Sequence, residues 1–231
     1  AALSPTQVVV AYGGNQVYTA NYYEYYTFAF LLDISGLNIT VSDPVQLKKE
    51  KFTQSDTDAK VYSTKTIALS ASSALILYGF YDGTNHSSTY LNYASAVSVT
   101  DGIMLAGEPF NLYIDGSKVG NGDITCVRMS DATAVTNGGQ TSYACNVLTI
   151  NGTSISRTAN YSKLSKEIVD LGNGMLLFVT DSSVCAAYYN GGSITFGTGT
   201  KMPKSGTLYC ALNLSQQKVL ICVGKYAFVA Q

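Results

Sequence analysis

The 231-residue chain holds a single histidine, His86, in the polar run Thr84-Asn85-His86-Ser87-Ser88. A Ser-His-Asp hydrolase would need it as general base; a solvated loop position is the plainer reading of such a run. Zinc sites need several Cys or His ligands at close spacing, and five cysteines without a Cys-x-x-Cys do not supply one. Carboxylates are few and dispersed, so no acid pair can be assigned to glycoside hydrolysis. Asp56-Thr57-Asp58 and the run Asp115 to Asp123 carry oxygens that calcium accepts, but lack the spacing and terminal Glu of an EF-hand loop. They read as polar turns. Gly197-Thr198-Gly199 lacks the third glycine and following helix of a dinucleotide fingerprint. The expectation is a protein that is not an enzyme, with no cofactor and no metal.

The cysteines and asparagines speak instead to habitat. Thr207 to Val223 reads as a hairpin whose strands flank Ser215 to Gln217, and in that register Cys210 faces Cys222. Opposed Cβ atoms lie about 4.5–5.5 Å apart, within reach of a disulfide. Cys126 and Cys145 flank the Asn137-Gly138 turn and form a second candidate pair, with Cys185 left over; five buried thiols are the alternative. Five N-glycosylation sequons occur, at Asn38, Asn85, Asn151, Asn160 and Asn213. The start Ala1-Ala2-Leu3-Ser4-Pro5 fits a mature terminus left by signal cleavage. These features favour an extracellular or cell-surface protein bearing N-linked glycans.

Composition narrows the class. With 14 basic and 15 acidic residues the net charge is −1, which argues against a nucleic-acid partner, since phosphate neutralisation needs a basic patch. A 46% hydrophobic content is too high for a disordered tail, and no apolar run is long enough for a membrane-spanning helix. Eight Asn-Gly or Asp-Gly pairs punctuate β-branched runs; such pairs accept the positive φ that tight hairpins require. Examples are Val147 to Ile150 before Asn151-Gly152, and Ala187-Tyr188-Tyr189 before Asn190-Gly191. The pattern predicts an all-β chain, an antiparallel β-sandwich of Greek-key, immunoglobulin-like or jelly-roll-like type. Asp181 to Cys185 followed by Phe196-Gly197-Thr198-Gly199 resembles the end of an immunoglobulin variable domain, a family whose core Trp is missing here. Two short helices are expected. One follows Asp43-Pro44 over Val45 to Phe52, with an N-cap and a first-turn proline. The other covers Tyr161 to Leu171, with Leu164, Ile168 and Leu171 at helical spacing. No internal repeat is evident, and a domain boundary near Ala106–Pro109 is compatible with the cysteines clustering beyond it.

The N-terminal segment is the most distinctive. From Val17 to Asp33 aromatic residues occupy both faces of an extended run. Tyr18, Tyr22, Tyr26, Phe28, Phe30 and Leu32 share one face; Tyr23, Tyr25, Ala29 and Leu31 share the other. A strand apolar on both faces wants cover on both sides. Tyr18, Tyr22, Tyr23, Tyr25 and Tyr26 are therefore candidate interface residues. Ahead of them Thr6, Gln7, Val8, Val9, Val10, Ala11 and Tyr12 form a β-branched strand followed by Gly13-Gly14. This divides the chain into an extended strand with a glycine hinge (1–14) and a body (15–231). Such a strand, completing a neighbour's sheet, is donor-strand augmentation, and head-to-tail repetition of it builds a filament.

In general character — a short apolar N-terminal strand, a Tyr/Ser/Thr/Gly-rich body, few charges, several sequons — the chain resembles secreted β-rich filament subunits of archaeal threads, bundling pili and bacterial biofilm fibres. The resemblance implies a self-polymerising extracellular structural protein serving adhesion or biofilm. Other expectations are a virion coat protein, a carbohydrate-binding or adhesin module, and a secreted hydrolase using His86.

Overall fold

The computed structural model describes residues 1–18, 22–53, 60–82, 89–112, 124–140, 143–215 and 218–230. Among them every regular element is a β-strand, and the strands form five antiparallel sheets in chain order. The first holds β1 (Gln7–Tyr18), β2 (Tyr22–Ser35), β3 (Asn38–Val41) and β4 (Val45–Thr53). The second holds β5 (Lys60–Ser70), β6 (Ser73–Asp82), β7 (Thr89–Thr100), β8 (Ile103–Ala106) and β9 (Phe110–Asn111). The third holds β10 (Thr125–Ser130), β11 (Thr133–Gln140), β12 (Tyr143–Asn151) and β13 (Ser154–Tyr161). The fourth holds β14 (Glu167–Gly172), β15 (Met175–Val179), β16 (Ser183–Asn190), β17 (Ser193–Phe196) and β18 (Thr200–Lys201). The fifth holds β19 (Leu208–Ser215), β20 (Lys218–Val223) and β21 (Tyr226–Ala230).

The sheets are variations on one unit, a repeat that the sequence pattern had not disclosed. Four hairpins turn at equivalent places, closed by the pairs Ser35↔Asn38, Thr100↔Ile103, Asn151↔Ser154 and Asn190↔Ser193. Positive φ at Gly36, Asp101, Gly102, Gly152, Gly191 and Gly192 lets these tight turns follow the strand twist. The turn before the central hairpin also recurs in the first three sheets. Ser4, Ser70 and Ser130 each accept a hydrogen bond on Oγ from the N–H two residues on, all at 3.2 Å. Ala2-Leu3-Ser4 stands before β1 as Ala68-Leu69-Ser70 stands before β6, and Ala2 bridges Val8 as Ala68 pairs Ala74.

Neither expected helix forms: the first is a strand, and the second divides into the end of β13, an irregular stretch and β14. Val45–Thr53 pairs along β2, where Leu47 and Phe52 are buried against the second sheet; the Asp43-Pro44 signal marks the entry to a strand instead. In β14, Ile168 enters the core between the third and fourth sheets and Val169 that between the fourth and fifth. Adjacent residues buried on opposite faces require period two, not 3.6.

Neighbouring sheets pack face to face as in a sandwich, but there are five layers and four cores. Val9, Leu31, Ile76 and Val97 join the first and second sheets; Leu75, Leu77, Ala134 and Leu148 the second and third. Val135, Val147, Leu176 and Phe178 join the third and fourth; Leu177, Val179, Val219 and Ile221 the fourth and fifth. Sheets pack about 10 Å apart, so a flat stack would hold the second and fourth about 20 Å apart. Yet Lys65 on β5 reaches Glu167 on β14 at 3.4 Å. The first strands of the second, third and fourth sheets therefore converge at this point.

This geometry corrects the reading of residues 1–14. β1 runs without a break through Gly13 and Gly14 and pairs with β2 of its own chain from Gln7↔Asp33 to Tyr18↔Tyr23. The Thr6 carbonyl accepts from Ile34 N–H at 2.7 Å. Thr6 to Tyr12 is an integral strand, not a free arm. Gly13 is a close-packing position rather than a hinge, since a Cβ there would run into the Val61 side chain. Ala106–Pro109 likewise lies against the third sheet, where a Cβ on Gly107 would strike the Thr153 carbonyl. Overpacking against backbone costs about 1–3 kcal/mol. Gly107→Ala should lower the urea midpoint accordingly, with Gly36→Ala, which meets open space but keeps φ at +62°, losing only its turn strain. Equal midpoints for wild type and Gly107→Ala would show that the two sheets are not locked at this point.

Candidate functional site

Three features stand out: a polar cluster where the first strands converge, a charged aromatic network on β2, and the outer faces of the first and fifth sheets.

Register makes Lys65, Thr125, Glu167 and Cys210 equivalent, each opposite the same point of its neighbouring strand (Leu77, Asn137, Val179 and Cys222). Glu167 ties the group together. It receives Thr125 Oγ1–H at 2.8 Å and the Lys65 ammonium at 3.4 Å. Beside Thr125 the fully buried Asn137 amide has no hydrogen-bond partner among the described residues. The cluster pins the second, third and fourth sheets to each other. It is not an activated nucleophile site. Burial raises the Cys126 thiol and pushes Cys145 up to about 12; a hydrogen bond with Cys222, aided by burial, raises Cys210. A raised thiol pKa is the reverse of what nucleophilic cysteine chemistry needs.

On β2 the tyrosines divide as their alternation predicts, with a correction to their role. Tyr25 is buried in the core between the first two sheets and the half-buried Tyr23 packs against it, so both face inward. Tyr22 and Tyr26 lie on the outer face. The side chain of Tyr18 lies outside the described residues. Between them Glu24 is buried at 5% exposure. It accepts from Tyr26 OH at 2.5 Å and pairs with Lys49 at 2.7 Å and Lys51 at 3.3 Å. Lys49 and Tyr26, with Lys51, hold the carboxyl down at about 2 against burial. Because the folded pKa lies below the ordinary 4.5, this contribution to stability is complete above 4.5 and drains away toward pH 2. Glu24→Gln should thus lower stability at pH 7 and flatten the melting-temperature loss between pH 4.5 and 2. An unchanged acid limb in that variant would rule the network out as its source.

The outer face of each end sheet carries an apolar patch, which on the first sheet lies beside the Glu24, Lys49 and Lys51 network. On the first, Val8, Val10 and Tyr12 pair with Leu32, Phe30 and Phe28. Tyr12 stacks on Phe28 at 5.5 Å and meets Phe30 edge-on at 5.8 Å. On the fifth, Leu212, Leu220 and Val229 stand in one row, beside Cys210, Cys222 and Ala227. Their counterparts inside the stack are buried. Tyr12 is 43% exposed where its equivalent Tyr78 is 0%, and Leu212 is 54% exposed where Val169 is 6%. No hydrophobic cluster among the described residues covers either face. Alternation marked Phe28, Phe30 and Leu32 as a face needing cover; the fifth-sheet face was missed, and the run Leu220–Val223 with Leu212 opposite was its signal.

The remaining site residues are scattered. Cys210 and Cys222 do oppose each other, and both are free thiols here. Cys126 and Cys145 cannot join. They sit on strands separated by β11, Cys126 packed toward the second sheet and Cys145 toward the fourth. Asn38, Asn151, Asn160 and Asn213 are exposed, though the Asn213 amide already donates to the Asp170 carbonyl at 2.7 Å. Asn85, His86, Asp56, Asp58 and Asp115 to Asp123 lie outside the described residues. No group of metal-ligating side chains occurs among the described residues, and none of their helices is long and apolar enough to cross a membrane. No protein-family model matches the chain, and no curated protein matches its sequence. Treating the folded protein with glutathione disulfide should link Cys210 to Cys222, shown by a single cross-linked peptide on mapping. Full alkylation of both cysteines after that treatment would show that the pair cannot close.

Proposed function

We propose that this chain is a structural building block that assembles with copies of itself in an extracellular polymer, serving adhesion or a biofilm-like matrix. The observation that carries the reading is the pair of apolar end faces, each equivalent to a face that is buried everywhere else in the stack. Exposed aromatic and aliphatic patches of this kind mark interaction surfaces. Full burial of a large apolar side chain is worth about 1.5–3 kcal/mol. The area still exposed on Tyr12, Phe28, Phe30 and Leu32, with Leu212, Leu220 and Val229 on the other face, contributes part of this toward an association cost of about 4–15 kcal/mol. The exposed sequons Asn38 and Asn151 at hairpin turns, and the low charge, support the extracellular setting.

The contact between copies is a stacking of sheet faces, in place of the exchanged strand that the N-terminal sequence first implied. A strand already satisfied along β2 gains little by leaving it, whereas a half-exposed apolar face gains by being covered. Sedimentation velocity of the purified protein across a hundredfold concentration range, with negative-stain microscopy of the same samples, tests the reading. Concentration-dependent oligomers or fibres are expected. A monomer at every concentration contradicts it.

A further inference from the structure

Resting on that reading, we infer that the seam between copies is heterologous: the outer face of the fifth sheet of one molecule docks on the outer face of the first sheet of the next.

The argument is one of continuity with the seams already inside the chain. Every sheet has a face turned to the preceding sheet and a face turned to the following one, and the two alternate along each strand. In β6, Ala74, Ile76 and Tyr78 face backward to the first sheet, and Leu75 and Leu77 face forward to the third. β1 is the counterpart of β6, with Val8, Val10 and Tyr12 at the positions of Ala74, Ile76 and Tyr78. Val9, like Leu75, faces forward. The uncovered face of the first sheet is therefore a backward face that no sheet meets.

The fifth sheet is the converse. β20 is the counterpart of β15. Val219 and Ile221, like Leu176 and Phe178, face backward into the preceding core. Leu220 and Cys222 take the places of Leu177 and Val179, which face forward and are covered. Leu212 takes the place of Val169. The uncovered face of the fifth sheet is a forward face. All four seams in the chain join a forward face to a backward face. Fifth-on-first repeats that polarity; first-on-first or fifth-on-fifth would pair like with like, which occurs nowhere in the stack. Large aromatic side chains on one face (Tyr12, Phe28 and Phe30) and smaller ones on the other (Leu220, Cys222 and Ala227) are the complementary sizes such a seam needs. A heterologous contact repeats, giving a ring if its rotation closes and a filament if it does not.

Two capped variants test this directly. Tyr12→Asp blocks the first-sheet face and leaves the fifth intact; Leu212→Asp does the reverse. Both positions are solvent-exposed, and circular dichroism with a thermal melt checks that each variant folds. Phe30→Asp and Val229→Asp serve as replacements should either fail. Sedimentation of each variant alone should show monomer only, and the equimolar mixture a one-to-one heterodimer that grows no further. A variant that still dimerises alone would reveal a like-with-like seam and overturn the inference. So would two monomeric variants whose mixture stays monomeric, or polymerisation of either variant as wild type. A monomeric wild type would instead remove the self-assembly reading itself.

Discussion

Cover on both faces is the constraint from which the rest follows. Every sheet in this chain is apolar front and back, because the strands carry hydrophobic residues at successive positions, as in Leu75-Ile76-Leu77 and Leu176-Leu177-Phe178-Val179. Such a strand cannot sit at the surface of a two-layer sandwich, where one face meets water. It needs a sheet on each side, and each added sheet brings a new apolar face of its own. The solution within the chain is serial stacking, five sheets with a separate core between each neighbouring pair. Convergence of the first strands follows from the same packing, and Glu167 holds it with Lys65 from two sheets away and Thr125 from the next.

The polar features fit around that constraint. Glu24 occupies an outward position on the first sheet and is satisfied locally by Lys49, Lys51 and Tyr26. Tyr93, at the outer side of the next core, donates to Glu50 at 2.8 Å, and Tyr78 is hydrogen-bonded to Ser95 at 2.9 Å. Tyrosine suits these seams because the ring fills the layer while the hydroxyl reaches a partner. Between the fourth and fifth sheets Asp181 plays a comparable part, pairing with Lys166 at 2.9 Å and accepting Leu208 N–H at 2.8 Å.

Much of the local structure was legible in the sequence, and the reasons are physical. Asp101-Gly102 makes a hairpin turn because both positions take positive φ, while next to Asn190, which ends its strand, the turn falls on Gly191-Gly192. The two faces of residues 22–32 followed from alternation alone. The register placing Cys210 opposite Cys222 followed from the symmetry of two β-rich runs about a polar tip. The serial architecture was not legible, because equivalent positions share geometry rather than chemistry: one column holds Lys65, Thr125, Glu167 and Cys210. The clearest trace, Ala-Leu-Ser with Tyr-Gly starting ten residues after the Ala, occurs at Ala2 to Gly13 and again at Ala68 to Gly79. The second copy lies inside a sheet, and so does the stretch from Gln7 to Tyr12 that resembles a free arm. The helical signals fail for a related reason. Capping residues and spaced leucines are local features, while burial on both faces of Ile168-Val169 is set by layers far away in sequence.

The central claim is that the end faces are interfaces of the kind already present four times in the chain. Electron cryo-microscopy of the proposed assembly tests it most directly. The account predicts Leu212 and Leu220 of one copy packed on Tyr12 and Phe30 of the next, with β1 still paired to its own β2. A map in which Gln7–Tyr12 has left β2 for a neighbouring sheet, or in which both end faces remain open to water, would contradict it.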